Sequence, residues 1–334
     1  MNNVNYYLGI DAGGTKTLAY VTDESGRLLG RGHAGNGNHQ IAGQLAADHI
    51  GQAVDQALRQ AGIVREQLTF SCFGLAGADR QADYDILHPM IRDLGFVDYE
   101  IVCDTIIGLR AGTNRPYGIS VICGTGTNSA GVSPEGEIFQ CGGFDYMYGD
   151  FGGGGMLCTE VFRTVIRAWD GREQPTLLTG LLLEKLGYPD VSTMFNDYLD
   201  HQRQVPLQVA ELLFVAAAQG DQATLNILAH QGREIGRSVT AIVHRLGMQH
   251  ETFDVVMAGS LLTRGDRGWI SPWIERAMQE CAPYASLVRL NMEPVVGAVL
   301  RAMEQAGIVV HDSVYNQLRE QGSLYPVSAE TIEP

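Results

Sequence analysis

At 334 residues the chain is longer than one hydrophobic core usually supports, so its length predicts two domains of roughly 100 to 200 residues each. A formal net charge of −15 argues against nucleic acid as a partner, because phosphate-backbone binding needs clustered Lys and Arg, and directs attention to small molecules. The composition, 45% hydrophobic and 18% charged, is that of a soluble globular protein.

No basic flank with an apolar run opens the sequence, and no run of about 18 apolar residues follows, so no membrane partner is expected and a cytoplasmic location is the default. The six cysteines (Cys72, Cys103, Cys123, Cys141, Cys158 and Cys281) contain no C-x-x-C pair, which disfavours a zinc site or a disulfide framework and leaves reduced, mostly buried thiols.

In chain order, the first elements are strands over 7–10, 18–22 and 28–32, a meander joined by glycine turns. Apolar residues at helical spacing predict a helix over 41–61, with Gly62 as its C-cap. Strands over 69–75 and 99–103 follow, and a helix opens over 106–111. The turn-rich segment 112–118 marks a boundary between domains spanning 1–112 and 113–334. A second meander comes next, then a helix over 156–168, a helical insertion over about 170–206, and helices over 207–219 and 222–246. A strand over 253–257 leads to a helix over 293–306 that returns over the fold, stopped by Gly307, and the polar tail beyond Gly322 is expected to be poorly ordered.

The two meanders are copies. Gly14-Thr15 and Gly124-Thr125 stand 110 residues apart, and so do the turn glycines Gly26 and Gly136, a shared offset that signals internal duplication. Each copy carries a glycine turn suited to phosphate. In the first, Asp11 at a strand end precedes Gly13, Gly14, Thr15 and Lys16; the carboxylate suits a magnesium ion, and the outward backbone amides suit phosphate oxygens. In the second, Gly124, Thr125, Gly126 and Thr127 repeat the cradle, so that the pair could clamp a nucleoside triphosphate across a cleft. Neither loop fits the Walker or the dinucleotide pattern.

Asp104, at a strand end between the two loops in sequence, is placed to accept a proton from an attacking hydroxyl, although a helix N-cap is the plain alternative. Asp150, ahead of a glycine run, could accept from sugar hydroxyls or merely hold a turn. Asn36 and Asn38 are αL turn residues or polar ligands, and His39 reads as structural. The remaining histidines lack metal-ligand spacing.

Together, the segments Asp11 to Thr17, Asn38-His39, Asp104, Gly124 to Asn128, Cys141 to Phe144 with Tyr148-Gly149-Asp150, and Ala258-Gly259-Ser260 resemble the sugar kinase, Hsp70 and actin superfamily. Within it, the chain is similar to the N-acetylglucosamine kinases grouped with BadF/BadG/BcrA/BcrD-type ATPases, over about residues 9–306. The resemblance implies an α/β fold of two ribonuclease-H-like (actin-like ATPase) domains with mixed central sheets, flanking helices and a cleft between them. It implies transfer of the γ-phosphoryl of ATP to an amino sugar, N-acetylglucosamine at its 6-hydroxyl first. Asp104 would be the base, and Asp11 would hold Mg2+ through water. Gly13, Gly14, Thr15, Lys16, Gly124, Thr125, Gly126, Thr127, Ala217, Gly259 and Ser260 would bind ATP. Asn38, Asp104, Gly143, Phe144, Asp145 and Asp150 would line the sugar site. A homodimer is compatible with the reading.

Departures from the group's pattern cluster on the sugar side: Phe151-Gly152-Gly153 where Glu-Gly-Ser is usual, Phe144 where Trp is common, and Gln40 where an aromatic is expected. Glucosamine, N-acetylmuramic acid and a plain hexose therefore stay open as acceptors. The alternatives are an ATPase that drives a partner protein, as in reductase activators with a cysteine-held cluster, for which Cys141 and Cys158 would be the candidates, and a sugar-sensing regulator without catalysis.

Overall fold

The computed structural model describes residues 4–322. Two five-stranded sheets form its frame, ordered β3-β2-β1-β4-β5 and β10-β9-β6-β7-β8. The first half runs β1 (Tyr6–Ala12), β2 (Thr17–Asp23), β3 (Leu28–Ala34), α1 (His39–Ala42), α2 (Leu45–Ala61), β4 (Leu68–Leu75), α3 (Gln81–Asp93), β5 (Tyr99–Cys103) and α4 (Asp104–Gly112). The second half opens with β6 (Gly118–Cys123), β7 (Thr127–Val132) and β8 (Ile138–Cys141), followed by helices α5 (Gly154–Trp169), α6 (Leu178–Leu186), α7 (Val191–Asp200), α8 (Leu212–Ala217) and α9 (Gln222–Arg245). It closes with β9 (Asp254–Ala258), α10 (Ser271–Cys281), β10 (Ser286–Arg289), α11 (Pro294–Gln305) and α12 (Asp312–Gln321).

Read from β8 to β10, the second sheet repeats the strand order of the first, and in both the meander is antiparallel while the last two strands join in parallel. This is the pair of mixed sheets that the duplicated glycine turns imply. The second hairpin turn of each copy uses the same chemistry. Asp23 Oδ1 accepts from the amides of Ser25 and Arg27, and Ser133 Oγ accepts from those of Glu135 and Glu137. Gly26 and Gly136 take φ of 82° and 87°, which side chains resist. The first turns differ in length. Ala12 pairs with Thr17 but Cys123 pairs with Thr127, so the second loop is one residue shorter and the counterpart of Asp11 is Ile122.

Burial sorts the chain into five layers. Leu8, Ile10 and Phe73 pack under α2 and α3 on the outer face of the first sheet, whereas Tyr7, Val102, Ala130 and Val256 from both sheets meet α4 and α11 in a shared middle layer. Helices α5 to α10 gather on the outer face of the second sheet, while Leu318 of α12 joins the middle layer. α11 sits close to β1: a Cβ on Gly9 would lie 2.5 Å from the Val299 nitrogen.

Local differences from the sequence reading have physical causes. The helix expected over 41–61 is broken at Gly43 (φ 55°), because Asn38 caps a separate four-residue turn, α1. α3 is unforeseen: Pro89 lies inside it, and its buried stripe is only Asp83, Leu87 and Ile91. α4 starts at Asp104, two residues early; Leu207–Glu211 is a 3₁₀ segment ahead of α8; and α10 and the short edge strand β10 gave no recognised signal. The expectation about the tail beyond Gly322 falls outside the described residues. Among those described, no helix is long and apolar enough to cross a membrane.

Candidate active site

Side chains alternate along β1, so Leu8, Ile10 and Ala12 enter the outer core while Asp11 faces the opposite side, toward the middle layer. At the carboxyl ends of β1, β4 and β5 lie the loop 13–16, the segment 76–80 and the start of α4, the usual place for ligands on an α/β sheet. These loops brace one another. The amide of Gly37 donates to Gly13 O at 3.1 Å, and that of Ala76 to Ala12 O at 2.9 Å. Gly14 and Thr15 stand exposed at the tip, and among the described residues their amides have no backbone acceptor.

The second loop has an analogous exposed tip at Thr125 and Gly126. Here the glycine run explains itself: the amide of Gly154 donates to Gly124 O at 2.7 Å and that of Gly155 to Thr125 O at 3.0 Å, while a Cβ on Gly153 (φ 76°) would lie 2.6 Å from Gly126 Cα. The N-terminus of α5 is therefore the buttress of the loop.

A cavity of about 520 Å³ opens between the halves, with Asp11, Lys16 and Asp104 on one wall and Gly259, Ser260 and Thr263 on the other. Lys16 Nζ crosses it to Glu293 Oε2 at 3.1 Å. Burial, reinforced by the charges of Asp104 and Glu293 and opposed by Lys16, pushes the Asp11 carboxyl up to about 7. Its carboxylate can still be reached through the cleft. The shift comes first from burial and second from neighbouring negative charge, and hard carboxylate oxygens beside phosphate-binding loops fit Mg2+. No three His, Cys, Asp or Glu side chains among the described residues form a ready-made metal cage, but Mg2+ on nucleotide phosphates keeps several waters and needs none.

Asp104 is the first residue of α4. Its Oδ1 accepts from Cys103 Sγ at 3.2 Å and Thr105 Oγ1 at 3.3 Å; Oδ2 has no protein partner among the described residues. Burial raises its carboxyl above the usual range, aided by Asp79 and opposed by the Cys103 and Thr105 bonds.

The sugar-side candidates gather across the second loop. Gly143, Phe144, Asp145 and Asp150 line a cavity of about 330 Å³ with Thr125, Gly126 and Thr127. Asp150 has a structural duty there: its Oδ2 accepts from the amides of Gly143, Phe144 and Asp145 at 3.0, 2.7 and 2.8 Å. Asp145, at φ 110°, caps the following 3₁₀ turn. Asn38 spends its side-chain oxygen on the Gln40 amide and lines none of these cavities. Ala217 is 5% exposed in the helical core and is not among the residues lining the 520 Å³ cavity.

Two departures from the sequence pattern now have places. Phe151 turns its ring onto His230, with centroids 4.1 Å apart, and Gln40 Nε2 bridges Gly77 O and Asp83 Oδ1. Four residues were missed from the sequence: Asp79, Cys103, Glu293 and Asn128, whose buried Oδ1 has no partner. Asn128 alone carried a signal, as the end of the second phosphate segment. A larger groove, about 750 Å³, lies between α9 and α10 beside Arg233 and Trp273, and holds none of the site residues.

Comparison with known proteins shows the family and the fold. The model of the BadF/BadG/BcrA/BcrD ATPase family matches residues 8–302. An N-acetyl-D-glucosamine kinase of Dictyostelium discoideum is 29% identical, over 89% of this chain and 97% of that protein. An N-acetylmuramic acid/N-acetylglucosamine kinase of Clostridium acetobutylicum is 27% identical, over 90% and 99% respectively. Among solved structures, a Chromobacterium violaceum protein provisionally described as an N-acetylglucosamine kinase shares the fold, with a TM-score of 0.69 and 24% identity over 89% of this chain and 99% of its own. With the match spanning both phosphate loops, Asp104 and most of α11, the chain belongs to the BadF/BadG/BcrA/BcrD ATPase family.

Proposed function

We propose that this chain is an ATP-dependent kinase of amino sugars, with N-acetylglucosamine phosphorylated at its 6-hydroxyl. The observation that carries the reading is Asp104, anchored through Oδ1 and free at Oδ2, on the wall of the cavity that also holds Asp11 and Lys16. The sugar hydroxyl would give its proton to Asp104 Oδ2 as its oxygen takes the γ-phosphoryl group, leaving ADP and the sugar phosphate. The exposed loops at Gly14-Thr15 and Thr125-Gly126 would hold the phosphates by backbone amides, with Lys16 adding charge, and Gly259 and Ser260 would border the nucleoside. Asp11 would hold Mg2+ through water; when bound, the ion neutralises phosphate charge. Gly143, Phe144, Asp145, Asp150 and Asn128 would surround the sugar. Relatives named for N-acetylglucosamine and N-acetylmuramic acid support an amino-sugar acceptor. A cytoplasmic location and a homodimer are compatible with it.

ADP release from the purified protein with Mg-ATP tests this across N-acetylglucosamine, glucosamine, N-acetylmannosamine, N-acetylmuramic acid and glucose. Strong stimulation by N-acetylglucosamine is expected. Slow release that no sugar alters would overturn the kinase reading. Asp104→Asn should keep ATP binding and lose turnover by about 10²-fold or more; unchanged turnover would remove Asp104 from the chemistry.

A further inference from the structure

The two halves touch beside the base through an unusual set of side chains. Cys103, the N-cap residue of α4, is 5% exposed. Its sulfur lies 3.2 Å from Asp104 Oδ1, 3.4 Å from Asp79 Oδ1 and 3.3 Å from Thr105 Oγ1, and it accepts from Asn128 Nδ2 at 3.4 Å. Asn128 belongs to β7, so this bond crosses from the second half. A second crossing runs from Gln140 Nε2 on β8 to Asp79 Oδ1 at 2.9 Å.

A thiol has one proton and here meets two carboxylates. Burial and the nearby charges of Asp104 and Asp79 push its acidity constant well above the usual range, so it remains a donor. Asp79 Oδ1 already receives the stronger amide bond from Gln140, and Asn128 occupies a sulfur lone pair. The shortest contact of the sulfur is to Asp104 Oδ1, at 3.2 Å, which makes that oxygen the favoured S–H acceptor over Thr105 Oγ1 and Asp79 Oδ1. Withdrawal of β8 would free Asp79 to compete for that proton, and the anchor on Asp104 would loosen.

We infer that Cys103 is a positioning residue for Asp104, and that Gln140, reaching over from the second sheet, directs its thiol proton so that the base is aligned only when the two halves are together. The inference rests on the assignment of Asp104 as the base. It adds a device that ties closure of the cleft to the orientation of one carboxylate, since small misplacements of a reacting group cost large factors in rate.

The test is steady-state kinetics of sugar phosphorylation on the full chain for Cys103→Ala, Cys103→Ser, Gln140→Ala and the double variant Cys103→Ala/Gln140→Ala. Cys103→Ala should lower kcat about tenfold while KM for ATP stays within about twofold, because orientation is lost and nucleotide binding is not. Cys103→Ser restores a donor of similar size and should recover most of kcat. Gln140→Ala should lower kcat by itself yet add nothing in the Cys103→Ala background, the signature of two residues acting through one proton.

An unchanged kcat in Cys103→Ala, a serine variant as slow as the alanine one, or Gln140 and Cys103 effects that simply multiply would each overturn the inference. If Cys103→Ala fails to fold, the serine variant and Gln140→Ala carry the same comparison: a normal kcat in Gln140→Ala overturns it. Asp104→Asn separates the two readings. Retained turnover in that variant refutes the base assignment, whereas lost turnover alongside normal Cys103→Ala kinetics refutes only the role of Cys103.

Discussion

A carboxyl held at about 7, as Asp11 is, costs the folded chain stability as pH rises above the ordinary carboxylate value. The penalty begins as pH rises past the ordinary value of 3.8 and is complete above about 7, because between these values the unfolded chain has released a proton that the folded one retains. Asp11→Asn removes the charge without changing shape. The thermal midpoint of the nucleotide-free variant should therefore exceed that of the native chain at pH 8, by more than it does at pH 5. Mg-ATP should narrow the gap by stabilising the native chain more. A gap that is the same at both pH values would show that Asp11 is not under this electrostatic load. The residue was legible in the sequence because a carboxylate before a glycine turn is a local pattern. Glu293, which helps raise it, was not: it lies 277 positions from Lys16, and only the return of α11 brings the two together.

At the scale of elements, the second phosphate loop depends on the start of α5 more than on its own sequence. Gly153 has φ 76°, and a side chain there would press on Gly126 and on Thr125 O, each within 2.7 Å of the new carbon. At φ 76° and ψ 161°, a region essentially restricted to glycine, Gly153→Ala carries a backbone cost of roughly 1–3 kcal/mol and must also push the loop away from the helix. The expected outcome is a several-fold rise in KM for ATP with a folded protein by circular dichroism and little change in KM for sugar. An equal rise in both constants would mean that the loop serves the two sites alike.

The meanders were readable because short apolar runs set off by glycine turns are local signals; α3 was hidden by Pro89 and by a buried stripe that includes a charged residue, Asp83. The break at Gly43 was missed for a related reason, since the Asn38 cap competes with a helical pattern that otherwise continues. Asp150 was read as a sugar ligand or a turn residue, and its three backbone amides give it the second duty at least.

Seen whole, duplication gave the molecule two similar sheets, and divergence made them unequal: Asp11 has Ile122 as its counterpart, so the carboxylate beside the phosphates comes from one side only. The halves are not joined by the cleft contacts alone. α4 and α11 lie between the sheets, and α11 is fastened there by Arg110 Nε to Glu304 Oε1 at 2.9 Å and by Arg301 to Glu100 at 2.5 Å. Arg110 is 3% exposed, so parting it from Glu304 leaves a buried charge. The division proposed between Gly112 and Thr113 thus falls at the end of a helix that belongs to both sheets.

The middle layer is the feature to perturb. Gly297 of α11 rests directly on the Ile107 carbonyl of α4, where no side chain fits without moving one helix. Gly297→Ala should destabilise the chain by roughly 1–3 kcal/mol, the range for overpacking, and lower the urea midpoint. Since both sheets pack on this layer, far-UV circular dichroism and the fluorescence of Trp169, Trp269 and Trp273, all in the second half, should still report one coincident transition. If the tryptophan signal kept its native midpoint while helix content was lost earlier, the second sheet would be standing without the middle layer. The two halves would then be independent bodies that happen to touch, rather than two sheets folded around one core.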